Sequence, residues 1–246
     1  MKTKPALIRL LLTFFFSLFL VGTSSGQVAI LILLFGDELA SEEVHLSIDG
    51  AVNSSYMSQL EQGKSLRGLN FGLGLHVKMN QNWEFNPQFR LLSGKGMRDV
   101  LPIIPPPGEL TGTKSSFKLN YMDVPVFIRR NLTPDLFVAA GPQISLLTAA
   151  HQSSEGRYDY DGSKADLKID AKPYFHKVDF SFPVEVGYWL HLSTKKSSSK
   201  ISLIVFARYC PGFTPVIKDN AYADKSKLST FQLGLSFPFI KGESLE

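Results

Sequence analysis

The chain has 246 residues, 44% of them hydrophobic and 20% charged, with a single cysteine, Cys210, so an internal disulfide is excluded. The formal net charge of +4 is no sign of a nucleic-acid partner. Lys2, Lys4 and Arg9 lie in the first 26 residues, which hold no acidic group; 26 basic residues less these three leaves 23 against 22 acidic ones, a net of +1.

In chain order, the first element is a basic start followed by the apolar run "LLLTFFFSLFLVG" and the small residues "TSSG". That sequence of basic, apolar and small segments predicts a secretory signal peptide over residues 1–26. No cysteine sits at the junction to take a lipid. Residues 27–43, "QVAILILLFGDELASEE", are expected to form an N-terminal periplasmic segment. The run Val28 to Phe35 is too short for a membrane helix, which needs about 20 apolar residues.

From residue 44 the pattern becomes regular and continues to about residue 240, leaving a short tail at 241–246. Strands are predicted at about 44–53, 66–79, 83–92, 117–130, 135–147, 176–192, 200–209 and 228–239. The clearest is "GLNFGLGLHVKMN", where Leu69, Phe71, Leu73, Leu75 and Val77 alternate with Asn70, Gly72, Gly74, His76 and Lys78. Period-two alternation is a strand signature because successive side chains point to opposite faces. The glycines do not match a nucleotide-binding loop. The same alternation recurs in 83–91, 178–190 and 231–239. It is less clean in the fourth strand and in the seventh, where Ile204 and Phe206 fall on the polar side. Prolines 87, 125, 142, 183 and 238 are awkward for central strands, since each removes a ladder donor. Short connections at 80–82, 131–134 and 193–199 alternate with longer polar stretches at 54–65, 93–116, 148–175 and 210–227, as in an antiparallel meander with one trimmed end.

Two architectures fit eight meandering strands: a soluble ligand-binding barrel with an apolar interior, and an outer-membrane barrel with an apolar exterior. The second is favoured. The apolar stripe carries almost no charge, whereas the polar stripe carries Asp49, His76, Glu84, Arg90, Asp123, Asp179, Glu185 and Arg208. That stripe is also rich in small residues such as Gly72, Gly74, Gly187 and Gly234, which a narrow lumen requires. The strands are long enough to cross a bilayer when tilted, for which about 9–11 residues suffice. Trp83, Tyr188, Tyr209 and Phe239 near strand ends suit an interfacial belt. The expected fold is therefore all-β, an eight-stranded antiparallel up-and-down transmembrane β-barrel. Its partner is outer-membrane lipid, its oligomeric state monomeric.

Four segments carry a family resemblance: "GLNFGLGLHVKMNQNWEFNPQFRLLSGKG", "YMDVPVFIRR", "VAAGPQISLL" and "ARYCPGFTPV". The chain resembles the PorT-like, or outer-membrane protein β-barrel, family of Bacteroidetes, over about residues 44–239. Cys210 and Phe213 depart from the usual pattern in the last segment. The resemblance implies an eight-stranded outer-membrane barrel, and a secretion partner in the envelope as an alternative to a structural or surface-binding role. Its motifs are architectural and not catalytic.

An eight-stranded barrel is filled by its own side chains, so a general diffusion pore is not expected. The eight inward charged residues are expected to pair as a lumen network, because an unpaired buried charge is costly. His45, His76, His151, His176 and His191 show no metal-ligand spacing. His151, His176 and Asp179 fall near one rim without any defining motif. "YDYDGSKADLKID" fails the EF-hand pattern, since Lys164 falls where the loop starting at Asp159 needs glycine. No enzyme activity, metal or cofactor is expected. The stiff segment "VLPIIPPPGEL" at 100–110 is a candidate partner-binding edge.

Overall fold

The computed structural model describes residues 41, 43–60, 63–105, 110–158, 162–193, 200–218 and 225–240. The expected signal peptide, most of residues 27–43, the end of the proline segment, Asp159 and Asp161, and the tail at 241–246 lie outside the described residues. The strands are β1 (Val44–Met57), β2 (Lys64–Lys78), β3 (Trp83–Val100), β4 (Leu110–Asn131), β5 (Leu136–Ala140), β6 (Gln143–Tyr158), β7 (Lys164–Asp170), β8 (Val178–Ser181), β9 (Val184–Ser193), β10 (Lys200–Cys210) and β11 (Leu228–Pro238). A single 3-10 turn, Lys172–Tyr174, separates β7 from β8.

Antiparallel pairing runs β1–β2–β3–β4, then β4 to β5 and β6, β5 to β9, β9 to β10, β10 to β11, and β11 back to β1. The last pairing, from Ser47↔Pro238 to Met57↔Leu228, closes the ring. Taking β5 with β6 and β7 with β8 and β9 as single interrupted staves gives eight. Closure matters because hydrocarbon cannot satisfy an open strand edge.

The prolines explain the interruptions. Pro142 and Pro183 fall in two gaps that face each other, bracketed by the pairs Ala140↔Val184 and Gln143↔Ser181. Each proline still accepts: the Val126 N–H donates to the Pro142 carbonyl at 2.9 Å, and the Gly141 N–H to the Pro183 carbonyl at 3.3 Å. Pro87 and Pro125 stay within strands, opposite Val126 and Gln143.

The faces divide as the alternation requires. Leu69, Phe71, Val184, Val186, Leu233 and Phe237 point outward and are exposed. Leu75 and Val77 continue the outward face of β2 but are buried, at 3% and 9% exposure. An apolar exterior is the reverse of a soluble carrier barrel, in which water meets the outer face. Ile204 and Phe206, on the polar side of their strand, are buried inside.

Two features differ from the sequence expectation. Two of the stretches expected as long loops, 93–116 and 148–175, are mostly strand. β3 and β4 run to 18 and 22 residues, and β6 with β7 forms a further hairpin. These extensions pass beyond the length a bilayer needs. Polar residues fall on both faces in parts of them, as in "TGTKSS", so those parts carry no alternation signal. Second, the long-loop end of the lumen is apolar. Met57, Met97, Phe117, Leu119, Leu147 and Phe175 pack there with Val216, Ile217 and Leu228. A bulge between Arg90 and Ser93 shifts the phase of β3. Leu91 and Leu92 are both exposed, and Ser93, Lys95 and Met97 turn inward after them.

Candidate functional site

Among the described residues, the barrel interior gathers charged groups from seven strands. Asp49 comes from β1, His76 from β2, Glu84 and Arg90 from β3, Asp123 from β4, Asp179 from β8, Glu185 from β9 and Arg208 from β10. All eight point inward and are nearly fully buried.

Six of them belong to one connected chain of contacts. The Ser47 hydroxyl donates to Asp49 at 3.0 Å and meets His76 Nε2 at 3.0 Å. His76 Nδ1 lies 2.5 Å from Glu84. Arg129 donates to Glu84 at 3.1 Å and lies 3.7 Å from Glu185. Glu185 accepts two hydrogen bonds from Arg208, one from Nε at 2.7 Å. Gln88 then accepts from both Arg208, at 3.1 Å, and Arg90, at 2.7 Å. Arg90 ends the chain on Gln232, at 2.7 Å. The structure does not bring Asp123 and Asp179 into this chain. Asp123 accepts from Lys95 at 2.9 Å, and Asp179 from Thr214 at 2.7 Å.

Sequence reasoning missed Arg129, Lys95 and Gln88. Arg129 shares the parity of Asp123 and Phe127 in β4, so the alternation itself could have found it. Lys95 was hidden by the bulge before it. Gln88 carries no charge to single it out, yet it is the acceptor that joins two arginines.

Aromatic rings complete the packing. The Arg129 guanidinium lies 3.8 Å from the Phe137 ring centroid, Arg208 lies 4.5 Å from Phe127, and the Lys95 ammonium 4.9 Å from Tyr121. Such faces attract a desolvated cation. Glycine is required where neighbours fill the lumen: a Cβ on Gly72 would lie 2.6 Å from Arg90 Cα, and one on Gly187 would lie 2.1 Å from the Phe137 ring.

Ser47, His76 and Glu84 follow the order of a nucleophile, a base and an orienting carboxylate. The geometry does not serve catalysis. Ser47 has no exposed surface, its proton goes to Asp49, and Arg129 neutralises Glu84. His45 stacks on His76 with centroids 4.5 Å apart. Among the described residues no three His, Cys, Asp or Glu side chains form a metal-ligating group. His151 and His176 contribute no such group with Asp179.

A closed ring with an apolar exterior and a charged, plugged interior defines an integral outer-membrane β-barrel. Residues 38–218 match the family described as outer membrane protein beta-barrel domain, and the chain belongs to that family. It is a small barrel protein of the bacterial outer membrane. A search of curated proteins returned no match. Similar solved structures include Neisserial surface protein A, at 11% identity and TM-score 0.39, covering 80% of this chain and 97% of that one. Ail, the attachment invasion locus protein of Yersinia pestis, is 15% identical with TM-score 0.37, covering 81% and 99%. OprG from Pseudomonas aeruginosa is 11% identical with TM-score 0.39, covering 82% and 98%.

Proposed function

We propose that this protein is a non-catalytic, non-conducting barrel that presents its strand extensions and loops at the cell surface, in a structural or binding role. One observation supports the reading: buried side chains occupy the interior from the short-turn end to the long-loop end. At the short-turn end Arg129, Glu84 and His76 are locked together, Arg90, Arg208 and Glu185 follow, and the apolar cluster around Phe117 and Phe175 closes the long-loop end. A hydrated path for solutes needs space and mobile water, whereas these guanidinium groups are stacked on rings and held by carboxylates. What remains free to act is the outer rim.

Residues 1–26 are assigned here as a signal peptide, which leaves the N-terminus of the barrel in the periplasm. The short turns then lie on the periplasmic side and the strand extensions outside. The resemblance to PorT-like proteins of Bacteroidetes keeps a secretion accessory as the alternative, acting through residues 27–43.

The test is conductance. Purified barrel in planar bilayers is expected to give no large, stable current steps. Reproducible porin-like steps from clean preparations overturn the non-conducting reading.

A further inference from the structure

Among the described strands, the barrel wall has no free edge, but the extension above it does. β7 pairs with β6 alone, from His151↔Asp170 to Arg157↔Lys164, and no other described strand pairs with it. We propose that this edge is a self-recognition site, at which β7 pairs antiparallel with β7 of a second copy standing in a facing membrane. The inference deepens the surface-binding reading above and rests on it.

The backbone pattern sets which groups are available. Tyr158 N–H donates to the Ser163 carbonyl and Ala171 N–H to the Ala150 carbonyl, each at 3.0 Å. In an antiparallel ladder hydrogen-bonded and non-bonded pairs alternate. The odd-numbered residues of β7 are therefore committed to β6. Lys164, Asp166, Lys168 and Asp170 turn their N–H and C=O groups to the open edge.

The side chains then select one register. Lys164, Asp166, Lys168 and Asp170 are all exposed and share one face, while Ala165, Leu167 and Ile169 share the other. A two-fold axis through Leu167 sets Lys164 against Asp170 and Asp166 against Lys168 of the second copy. All four edge-facing residues then lie in hydrogen-bonded pairs, and every charged position meets its opposite. Shifting by two residues either way sets Lys against Lys or Asp against Asp. Shifting by one breaks the hydrogen-bond pattern.

The neighbouring strand strengthens the argument. The β6 register sets Lys164 beside Arg157 and Asp166 beside Glu155. Like charges directly opposite are destabilising, and opposite charges favourable. Lys164, Asp166 and Lys168 form no ion pair or hydrogen bond through their side chains among the described residues; Asp170 accepts from the Lys172 N–H at 3.0 Å. Charged side chains and prolines protect edges from indiscriminate pairing, so this edge admits only a partner that meets each charge with its opposite. An edge of alternating sign repels neither itself nor an antiparallel copy.

Direction follows from the same pairing. β6 continues the barrel wall outward, and β7 returns from the hairpin tip to Ala171 at the apolar plug. An antiparallel partner runs the opposite way, so its barrel lies beyond the tip, in an apposed membrane. A seven-residue edge is a small interface, and tight attachment between two surfaces comes from many such pairs acting together.

The experiment uses the full barrel at one copy per lipid nanodisc, followed by sedimentation velocity. Wild-type discs are expected to pair in a concentration-dependent way, and Leu167→Cys to form a disulfide-linked pair across the two-fold axis. Native Cys210 is buried and serves as the silent control. A variant with Lys164→Asp and Lys168→Asp, and a second with Asp166→Lys and Asp170→Lys, should each stay single. Mixed together they should pair again at wild-type strength or better. Discs that remain single at every concentration overturn the proposal, as does failure of the mixture to pair while each variant keeps the gel shift of a folded barrel. Those failures leave the non-conducting reading standing; a porin-like current would instead remove that reading.

Discussion

The guanidinium of Arg129 lies 3.8 Å from the centre of the Phe137 ring, two strands joined by a short turn. The ring occupies the space that a side chain at its cross-strand partner, Gly187, would need. A cation, an aromatic ring and a missing side chain thus form one packed unit across three strands.

That unit sets the first prediction. Gly187→Ala should destabilise the barrel by about 1–3 kcal/mol, the usual cost of overpacking a close-packed interior. Urea unfolding in lipid vesicles measures it. A neutral result would mean that Phe137 can leave its site freely.

The second prediction concerns the Arg208–Glu185 pair, buried at 1% and 5% exposure. Removing one partner leaves an uncompensated charge, so Glu185→Leu should cost roughly 3–5 kcal/mol. The double change of Glu185→Leu with Arg208→Met should recover much of that loss. A double-mutant cycle in the same unfolding assay reads the coupling directly. A double variant whose cost equals the sum of the two single costs would show that the pair is not a unit.

The third prediction separates the faces. Val184 is 47% exposed on the outer surface, and Val184→Arg should cost about 2–4 kcal/mol if it sits near the bilayer midplane. Leu132, at a short turn, lies near the interface, and Leu132→Arg should cost only about 0–1 kcal/mol. Ser181→Arg places the same charge inside and should act by crowding. Val184→Arg folding as well as the native chain in vesicles would reverse the assignment of faces.

The fourth prediction concerns topology. Epitope tags at positions 105 and 160 should be reached by protease on intact cells, and tags at 132 and 196 should not. The opposite pattern would place the strand extensions in the periplasm and remove the surface role with them.

How much of this was legible in the sequence differs between the two ends of the molecule. Within the bilayer span, Leu69 to Leu73 and Phe231 to Phe237 could be read directly, because lipid outside and a packed lumen inside impose opposite chemistry on alternate residues. The same rule pointed inward for Asp49, His76, Glu84, Arg90, Asp123, Asp179, Glu185 and Arg208, and the structure buries each of them. The alternation fades beyond the bilayer, where the outward face meets water and buried inward residues such as Ser115 are polar as well. Lys114 to Ser116 therefore read as loop, although they continue β4.

The sequence by itself determined the number of staves, the face that meets lipid and the charged character of the interior, since all three follow from a two-residue period. Only the tertiary structure decided which charge meets which. Glu84 and Arg129 are 45 residues apart, and Arg90 and Gln232 are 142 apart; their contacts depend on ring closure and stagger. The bulge after Arg90 turned Lys95 inward to meet Asp123. Among the described strands, the open edge of β7 likewise arises because β9 pairs onward to β10 while β7 pairs with β6 alone, and no local pattern of residues records which strand a neighbour will choose.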